Sequence, residues 1–382
     1  MTRAPAFAGS LLAALALAVP AQALTIEVTN TDDSGAGTLR DAITIANASA
    51  GADVVDATGL SGAIVLQSAL PQISGAVEIK GPGSGELSLR RAAGDDYRLL
   101  SISLPAVAEV SVSGLALIGE PGADQGGGIS STNADLALQD VVVSGHACTC
   151  DGAGVEVSSG SLLVSDSTIA DNRGLLGGGI LISSGAHLTM ERTTVSGNRA
   201  SIGGGGLVAF VSPAGHLIRN STIVGNAAEF AESMGGGIEF SSFPAPFRIE
   251  SSTVAGNSAQ FGANISAGTS SDVLELHNSI VAYPEQGVNC LGGGSGTWNS
   301  VGHNIADDGS CGLDQPSDQA GVDPLLGPLA DNGGPTQTRA PEPGSPAIDQ
   351  GFAGGLGPAI DQRGLRRTVD FLAVPNPAGG DG

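Results

Sequence analysis

The chain repeats itself with a fixed period, and this repeat restricts the possible folds more than any other feature. The last aliphatic residue before each closing turn falls at regular positions: Leu117, Val143, Ile169, Val195, Ile223, Val254 and Ile280. The steps between these positions are 26, 26, 26, 28, 31 and 26 residues. A second series follows the glycine clusters at Ile129, Val155, Ile180, Leu207, Ile238 and Ile265. A fixed period in this range is typical of stacked-repeat proteins.

Each period contains three short runs in which apolar and polar residues alternate. In residues 177–198, Ile180 and Ile182 alternate with their neighbours, Leu188 and Met190 do the same, and a third run follows. This spacing indicates β-strands, and helical spacing is absent. The sequence therefore predicts an all-β, right-handed parallel β-helix with three short strands per coil of about 26 residues. Successive coils would stack at the strand spacing of about 4.8 Å.

The residues that close each period suggest how the coils turn. Four asparagines share one position of the repeat, where they could adopt the left-handed conformation of a sharp corner and bond one another along the axis: Asn172, Asn198, Asn226 and Asn257. The glycine clusters mark another corner, with no room for side chains. A phosphate loop would need a lysine and a helix there, whereas the chain's single lysine is Lys80.

Composition divides the chain into five segments. Residues 1–23 have one basic residue, an apolar run and a closing Ala-Gln-Ala, which predicts a secretory signal peptide. Residues 24–58 would form an N-terminal cap, in which residues 38–48 make a short amphipathic helix over the first coil. The β-helix would occupy residues 59–288, a disulfide-bridged loop 289–318, and an irregular, proline-rich cover of the last coil 319–382.

Several motifs resemble those of a known family. "DSGAGTLRDAITIANA" resembles the N-terminal segment of bacterial secreted right-handed parallel β-helix proteins, including the group with a CSLREA motif, although that cysteine is missing here. The repeats with GGGI and STIxGN are similar to those of polymorphic outer-membrane proteins. "DPLLGPLADNGGPTQT", "PGSPAID" and "DQRG" resemble the choice-of-anchor Q domain. The resemblance implies a secreted or cell-surface protein without assigned catalytic residues.

The charge balance narrows the choice of partners. Without the signal peptide and its Arg3, the chain has 15 − 1 = 14 basic and 38 acidic residues. Such a surface repels nucleic acid, and no segment of the mature chain is apolar and long enough to span a membrane. We expect an extracellular or cell-surface monomer whose partner is a polysaccharide or another surface component. No cofactor is required, although the acidic loops "NTDDSG" and "ADDGS" would suit Ca²⁺.

The four cysteines of an exported chain predict disulfides. Cys290 and Cys311 enclose 20 residues, and a bond there is favoured over the two alternative pairings. Cys148 and Cys150 are separated by a single residue, so their bond would close a strained ring. The stretch "HACTCD" also offers His146 and Asp151 as metal ligands, but a disulfide or a plain turn is favoured over a crowded metal site.

One outward position of the repeat supplies candidate catalytic residues. The residues three before each marker are Asp140, Asp166, Arg192, Asn220, Ser251 and His277. Asp140, Asp166 and Arg192 could serve a polysaccharide lyase or hydrolase, with Arg192 as the base, or they could form a solvated corner. The sequence thus leaves three hypotheses: a non-catalytic structural, adhesive or glycan-binding β-helix, which is favoured; a lyase or hydrolase; and a Ca²⁺-stabilised surface module.

Overall fold

The computed structural model describes residues 23–92, 94, 96–120, 126–241, 245–269, 271–292, 297–352 and 359–367. The predicted signal peptide lies outside these residues except for Ala23, as does the end of the chain from residue 368. No helix among the described residues is long and apolar enough to cross a membrane.

The described residues form one helix and thirty-one strands, most of them three to six residues long. In chain order the elements are β1 (Thr25–Glu27), α1 (Leu39–Ala48), β2 (Asp53–Asp56), β3 (Gly62–Leu66), β4 (Val77–Lys80), β5 (Leu87–Arg91), β6 (Leu100–Ile118), β7 (Ile129–Ser144), β8 (Val155–Val157), β9 (Gly160–Ser165), β10 (Thr168–Ala170), β11 (Arg173–Leu176), β12 (Ile180–Ile182), β13 (His187–Glu191), β14 (Thr194–Ser196), β15 (Arg199–Gly203), β16 (Leu207–Ala209), β17 (His216–Arg219), β18 (Thr222–Val224), β19 (Ala227–Ala228), β20 (Ile238–Phe240), β21 (Phe247–Glu250), β22 (Thr253–Ala255), β23 (Ile265–Ala267), β24 (Val273–His277), β25 (Ile280–Ala282), β26 (Cys290–Leu291), β27 (Thr297–Gly302), β28 (Ile305–Ala306), β29 (Gln319–Ala320), β30 (Leu326–Ala330) and β31 (Thr338–Pro341).

Most strands stack in parallel, each pairing with its equivalents in the coils before and after it, so the chain is a β-solenoid with three faces. The strands β11, β15 and β19 form a short additional parallel sheet, and they lie in the chain between strands of the strap and loop faces defined below. We call the first of the three faces the open face; it contains β2, β4, β9, β13, β17, β21, β24, β27 and the middle parts of β6 and β7. The second, the strap face, contains β10, β14, β18, β22, β25 and β28. The third, the loop face, contains β8, β12, β16, β20, β23 and β26.

Inward side chains from all three faces fill a continuous apolar core. The predicted marker column is part of it: Leu117, Val143, Ile169, Val195, Ile223 and Val254 lie in register and are buried. Burying a side chain of this size stabilises the fold by about 1.5–3 kcal/mol, and the repeat supplies one such residue per coil at this position. The predicted all-β solenoid of three-strand coils is therefore confirmed.

The last marker was misplaced by one residue. Val254 pairs with Val281, which is buried, whereas Ile280 pairs with Thr253 and faces outward. This step is therefore 27 residues, because the coil gains one residue that aliphatic spacing alone does not reveal. The same shift removes His277 from the candidate catalytic column and puts Asn278 in its place, since His277 pairs with Glu250 in the open face.

The predicted N-terminal helix is confirmed as α1. Thr38 caps it by accepting a hydrogen bond from the Asp41 amide at 3.2 Å, and the Asp41 carboxylate accepts one from the Gly37 amide at 3.1 Å. This reciprocal pair satisfies amides that the first helical turn leaves free. The buried side chains of Leu39 and Ile43 pack onto the first coil. The paired strands β1 and β2, which precede and follow the helix in the chain, belong to the start of the solenoid.

Two C-terminal segments differ from their predicted form. Residues 289–318, expected to be a loop, contain β26, β27 and β28, which continue the three faces. The irregular segment after them begins with β29, which pairs with β28 of the last coil, and it includes the antiparallel pair β30 and β31. Its described residues between 326 and 367, here called the strap, run back along the strap face as far as Thr194, where the carbonyl of Gln337 accepts a hydrogen bond at 2.6 Å.

The glycine triplets form a tight corner. The three positions of a triplet do not all require glycine for the same reason. In residues 177–179, Gly177 has a left-handed backbone with φ of 62°. A Cβ on Gly178 would lie 2.2 Å from the Arg199 carbonyl oxygen, and one on Gly179 would lie 2.5 Å from the Gly206 carbonyl oxygen. No L side chain fits at the last two positions. The triplet is therefore structural, as predicted from the missing lysine.

Candidate functional site

The four predicted turn asparagines lie in one buried column, here called the asparagine ladder. Each donates from Nδ2 to Oδ1 of the next at 2.9 Å and also to a backbone carbonyl, so the sequence Asn172, Asn198, Asn226, Asn257 is continuous. The left-handed residue of this corner is the one before, such as Asp171 with φ of 56° or Gly197 with φ of 65°. The predicted hydrogen bonds between the asparagines are thus confirmed, whereas the prediction that they adopt the left-handed backbone was wrong.

The ladder continues beyond Asn257, its predicted end. Its next asparagine comes from the glycine corner of the following coil. Pro284 stands where the next asparagine would be, and Asn264 occupies the third position of the glycine corner. Asn264 accepts from Asn257 at 2.8 Å and donates to Asn289 at 2.6 Å. Asn289 then donates to the carboxylate of Asp307 at 2.6 Å, so the ladder ends on an anion.

The other end of the ladder carries a cation and a neutral histidine. His146 replaces the asparagine and is fully buried; its Nδ1 accepts from Arg91 at 3.2 Å and its Nε2 donates to the Leu117 carbonyl at 3.1 Å. A guanidinium can only donate, so this tautomer is fixed. Burial, with Arg91 nearby, lowers the pKa of His146 to about 3. Both ring nitrogens are engaged, which leaves His146 unavailable as a metal ligand.

The candidate catalytic residues lie at a second corner, which we call the outer corner column. Its members all have left-handed backbones with φ between 46° and 62°: Gly114, Asp140, Asp166, Arg192, Asn220, Ser251, Asn278 and His303. Aspartate, asparagine and glycine tolerate this conformation best, which explains most of the residue types by backbone geometry alone. His277 is not a member, for the reason given above.

Of the three charged members of this column, Asp140 bonds a serine, whereas Asp166 and Arg192 bond each other. Asp140 accepts hydrogen bonds from Ser84, from Oγ at 2.7 Å and from the amide at 3.3 Å. Asp166 accepts two hydrogen bonds at 2.7 Å from Nε and Nη2 of Arg192. Hydrogen bonding to Asp166 raises the pKa of Arg192. A base in a lyase needs a lowered pKa, so this geometry disfavours the role that the sequence suggested for Arg192.

Ion pairs extend from Arg192 across the edge of the open face. Arg192 approaches Glu191 at 3.4 Å, Arg219 approaches the same carboxylate at 3.5 Å, and Arg219 bonds Glu250 at 2.9 Å. The charges alternate from coil to coil, so each cation compensates the carboxylates on either side of it. Each of these charged side chains is bonded to another of them, as in a structural ion-pair network.

The strap covers the C-terminal half of the outer corner column. Asn220 donates to the Ile360 carbonyl at 2.9 Å and also bonds Arg367. Asn278 exchanges two hydrogen bonds with the backbone of Phe352, at 2.8 Å and 3.0 Å. The polar side chains that the sequence suggested as an exposed row are therefore used to hold the strap.

Gln362 is a contact that the sequence did not predict, although it lies within the quoted "DQRG" motif. Its buried side chain accepts from Thr222 Oγ1 at 2.8 Å and donates to Thr194 Oγ1 at 3.0 Å and Thr336 Oγ1 at 2.9 Å. Asp361 fixes the turn around it by accepting from the amides of Arg363 and Leu365 at 2.9 Å. The motif therefore attaches the strap to the solenoid.

Both cysteine pairs form disulfides. Cys290 joins Cys311, as predicted, and links the strand β26 to the turn after β28. Cys148 joins Cys150 at the surface beside the ladder's histidine, so these sulfurs are not free to bind a metal. Among the described residues no group of three or more histidine, cysteine, aspartate or glutamate side chains could hold a metal ion.

In the two acidic loops suggested for Ca²⁺, three of the four carboxylates accept bonds from protein donors. In the first, Asp33 bonds Arg40 at 2.6 Å. In the second, Asp307 accepts from Asn289 and from the Tyr283 amide, and Asp308 accepts from the Asn289 amide and from Ser310. These bonds close the last coil, so the second loop has a structural role that the sequence did not indicate.

The open face carries a shallow depression of about 550 Å³ over its N-terminal coils. Its floor is the outward column Val54, Glu78, Ser111, Ala137 and Leu163, with Glu109 and Asp135 at one side. Leu163 is 43% exposed. The floor therefore combines apolar carbon, hydroxyls and carboxylates.

The loop face differs from the open face in its outward column. Its apolar members Leu181 and Val208 are both buried. The glycine corners fold back over them, with Gly177 beside the Cβ of Leu181 and Gly204 beside a methyl group of Val208. Glu239 lies in the same covered column, where burial raises its pKa to about 7.

Comparison with known proteins agrees with this architecture. Residues 122–304 match the family model described as "Right handed beta helix region". The fold is a right-handed parallel β-helix. Among solved structures, the β-helix is similar to the mannuronan C-5 epimerase AlgE4 A-module of Azotobacter vinelandii, with a TM-score of 0.45 and 14% identity over 75% of this chain and 92% of that one. No curated protein matches the sequence.

Proposed function

We propose that this protein is an exported, non-catalytic β-helix that binds a neutral polysaccharide along its open face. The observation that carries the proposal is the difference between the three faces. Loops cover the loop face and the strap covers much of the strap face, whereas the outward residues of the open face remain accessible beside a depression of about 550 Å³. Its ten stacked strands span about 43 Å, long enough for an extended chain of sugars.

The residues of the depression match the chemistry of a neutral sugar chain. Serine hydroxyls and the carboxylates of Glu78, Glu109 and Asp135 can bond sugar hydroxyls, while Leu163 and Ala137 offer carbon to the apolar faces of the rings. The carboxylates repel uronates, in a chain with a formal net charge of −23. A neutral polymer is therefore favoured over an acidic one.

Export is proposed from two further observations. Both disulfides are of a kind that forms and persists in oxidising compartments. The first 23 residues have the pattern of a signal peptide. Together with the resemblance of the strap motifs to choice-of-anchor Q domains, these features support a cell-surface location.

Binding and catalysis can be separated in one experiment. The purified protein is run by affinity electrophoresis in gels containing neutral polysaccharides such as galactomannan and β-glucan, or the uronates alginate and polygalacturonate, with and without Ca²⁺. We expect retardation by a neutral polymer, weakened at least about 10-fold in Leu163→Asp because a new carboxylate enters the apolar floor. Leu365→Asp is the matched control, since Leu365 is an exposed leucine on the strap.

The same samples test the lyase or hydrolase alternative through the length of the polysaccharide. Chains shortened by the unmodified protein but preserved by Asp166→Ala would replace the binding proposal with an enzyme acting at the Asp166–Arg192 pair. Retardation that is unchanged in Leu163→Asp would move the binding site away from the open face.

A further inference from the structure

We propose a second binding site, for a small organic carboxylate, in a cavity of about 230 Å³ between the solenoid and the strap. On one side lie Ser251, Asn278 and His303 of the outer corner column, with Thr253, Ile280 and Ile305 of the strap face. On the other lie Phe352 and Arg367 of the strap. This site does not depend on the polysaccharide proposal, because it lies outside the open face.

Arg367 supplies the positive charge. Its Nε donates to the Ile360 carbonyl at 3.2 Å, and its Nη2 bonds Asn220 and, at 3.3 Å, the Ser251 carbonyl. Among the described residues no carboxylate pairs with it, and Nη1 has no partner. The charge of Asp361 acts on Arg367 only from a distance, and burial lowers the pKa of the guanidinium, so a ligand's carboxylate in direct contact would compensate its charge.

Ser251 supplies an unused hydroxyl at the same cavity. Its Oγ is buried and has no hydrogen-bond partner among the described residues. A buried donor without a partner is unfavourable, so the fold gains nothing from a hydroxyl here. The two groups come from opposite sides but adjoin, since Nη2 of Arg367 bonds the Ser251 carbonyl at 3.3 Å, and together they could hold both oxygens of a carboxylate.

The remaining wall determines what the carboxylate is attached to. Ile280, Ile305, Pro341 and Phe352 are apolar, and the Phe352 ring stacks on His303 with centroids 5.4 Å apart. None of the described residues that line the cavity is acidic. Its volume exceeds the roughly 150 Å³ that accommodates benzene in an engineered cavity, so a planar or cyclic acid of about that size fits. Inorganic phosphate would leave the apolar wall unfilled.

The test uses benzoate, glucuronate, acetate and inorganic phosphate as probes of the full chain, with binding followed by isothermal titration calorimetry. We expect benzoate or glucuronate to bind more tightly than acetate and phosphate. Arg367→Gln should weaken this binding about 10- to 100-fold, and Ser251→Ala about 10-fold, because each removes a bond to a charged group. Ser251→Ala breaks no existing side-chain bond, so it tests the site without loosening the strap.

Two controls match these variants. Arg363→Gln removes an exposed arginine of the strap, and Ser266→Ala removes another buried, unpartnered hydroxyl, on the loop face. Both should bind as the unmodified protein does. The proposal is overturned if no carboxylate binds. It is equally overturned if Ser251→Ala and Arg367→Gln both bind the carboxylate as tightly as the unmodified protein does.

Discussion

The asparagine ladder and the outer corner column solve the same geometric problem in different ways. Both turn the chain sharply once per coil. In the ladder the side chains point inward, where no water reaches them, so each amide must bond its neighbour and one residue type repeats. In the outer corner column only the left-handed backbone is required, and aspartate, arginine, asparagine and serine all occur. Repetition of one residue type along a β-helix therefore indicates buried hydrogen bonding, whereas mere polarity indicates a corner.

The largest effect is expected when one asparagine is removed from the ladder, and this change tests the difference between the two columns most directly. Asn198→Ala removes the acceptor of the Asn172 amide and side chain, and the donor to Ile169 and Asn226. Each buried group left unpaired costs about 1–3 kcal/mol, so we expect a loss of at least about 4 kcal/mol in the free energy of unfolding. Urea denaturation followed by circular dichroism measures it.

Asp140→Ala is the matched change in the outer corner column. It removes the bonds to Ser84 and places alanine in a left-handed conformation, which costs about 1–2 kcal/mol. Equal losses for the two variants would show that burial does not separate the two columns.

A methyl group added beside the ladder should act almost as strongly. In Gly206→Ala the new Cβ would lie 2.6 Å from the Gly237 carbonyl oxygen and 3.0 Å from Asn226 Cγ. The rung must shift, and we expect a loss of about 2–3 kcal/mol. Gly75→Ala is the control, because Gly75 has open space around it and no positive φ. A similar melting temperature for both variants would contradict a rigid ladder.

Acid should weaken the ladder at its histidine end. The pKa of His146 is lowered to about 3 and that of His216, also buried, to about 4, against 6.5 for free histidine. Their stabilisation is complete above pH 6.5 and is lost as pH falls towards the folded values, because only the unfolded chain takes up the protons. Lowering the pH from 7 to 5 therefore reduces the free energy of unfolding by about 2 kcal/mol for each of the two histidines.

Glu239 opposes this loss. Burial raises its pKa from 4.5 to about 7, so between pH 7 and pH 5 the folded state takes up the proton and gains about 2 kcal/mol. We therefore expect a net loss of about 2 kcal/mol in the unmodified protein and about 4 kcal/mol in Glu239→Gln. Urea unfolding at the two pH values measures both. The same loss in the two proteins would show that Glu239 is not desolvated.

The architecture could be predicted from the sequence because one aliphatic residue per coil must enter the core, and that requirement survives in the spacing. The sequence-based predictions were wrong where no such packing constraint acts. The single residue gained before Val281 left the alternation locally intact, so Ile280 and His277 were assigned one position out of register. The strap could not be placed because its contacts, such as Gln362 with Thr194, join residues 168 apart through polar side chains that follow no period.

The smallest expected effect is in the Asp166–Arg192 pair, which also tests whether the outer corner column does more than turn the chain. The two side chains are about one-fifth exposed and bonded twice, so solvent screens the pair only in part. A double-mutant cycle of Asp166→Ala and Arg192→Ala should give a coupling of about 1 kcal/mol. Because Arg192 also contacts Glu191, that neighbour stays unchanged in all four proteins. A coupling near zero, with both single variants as stable as the original, would mean that the fold does not need the pair. The reason for these charges would then have to be sought in chemistry at the surface, and the enzymatic alternative would gain weight over a purely structural corner.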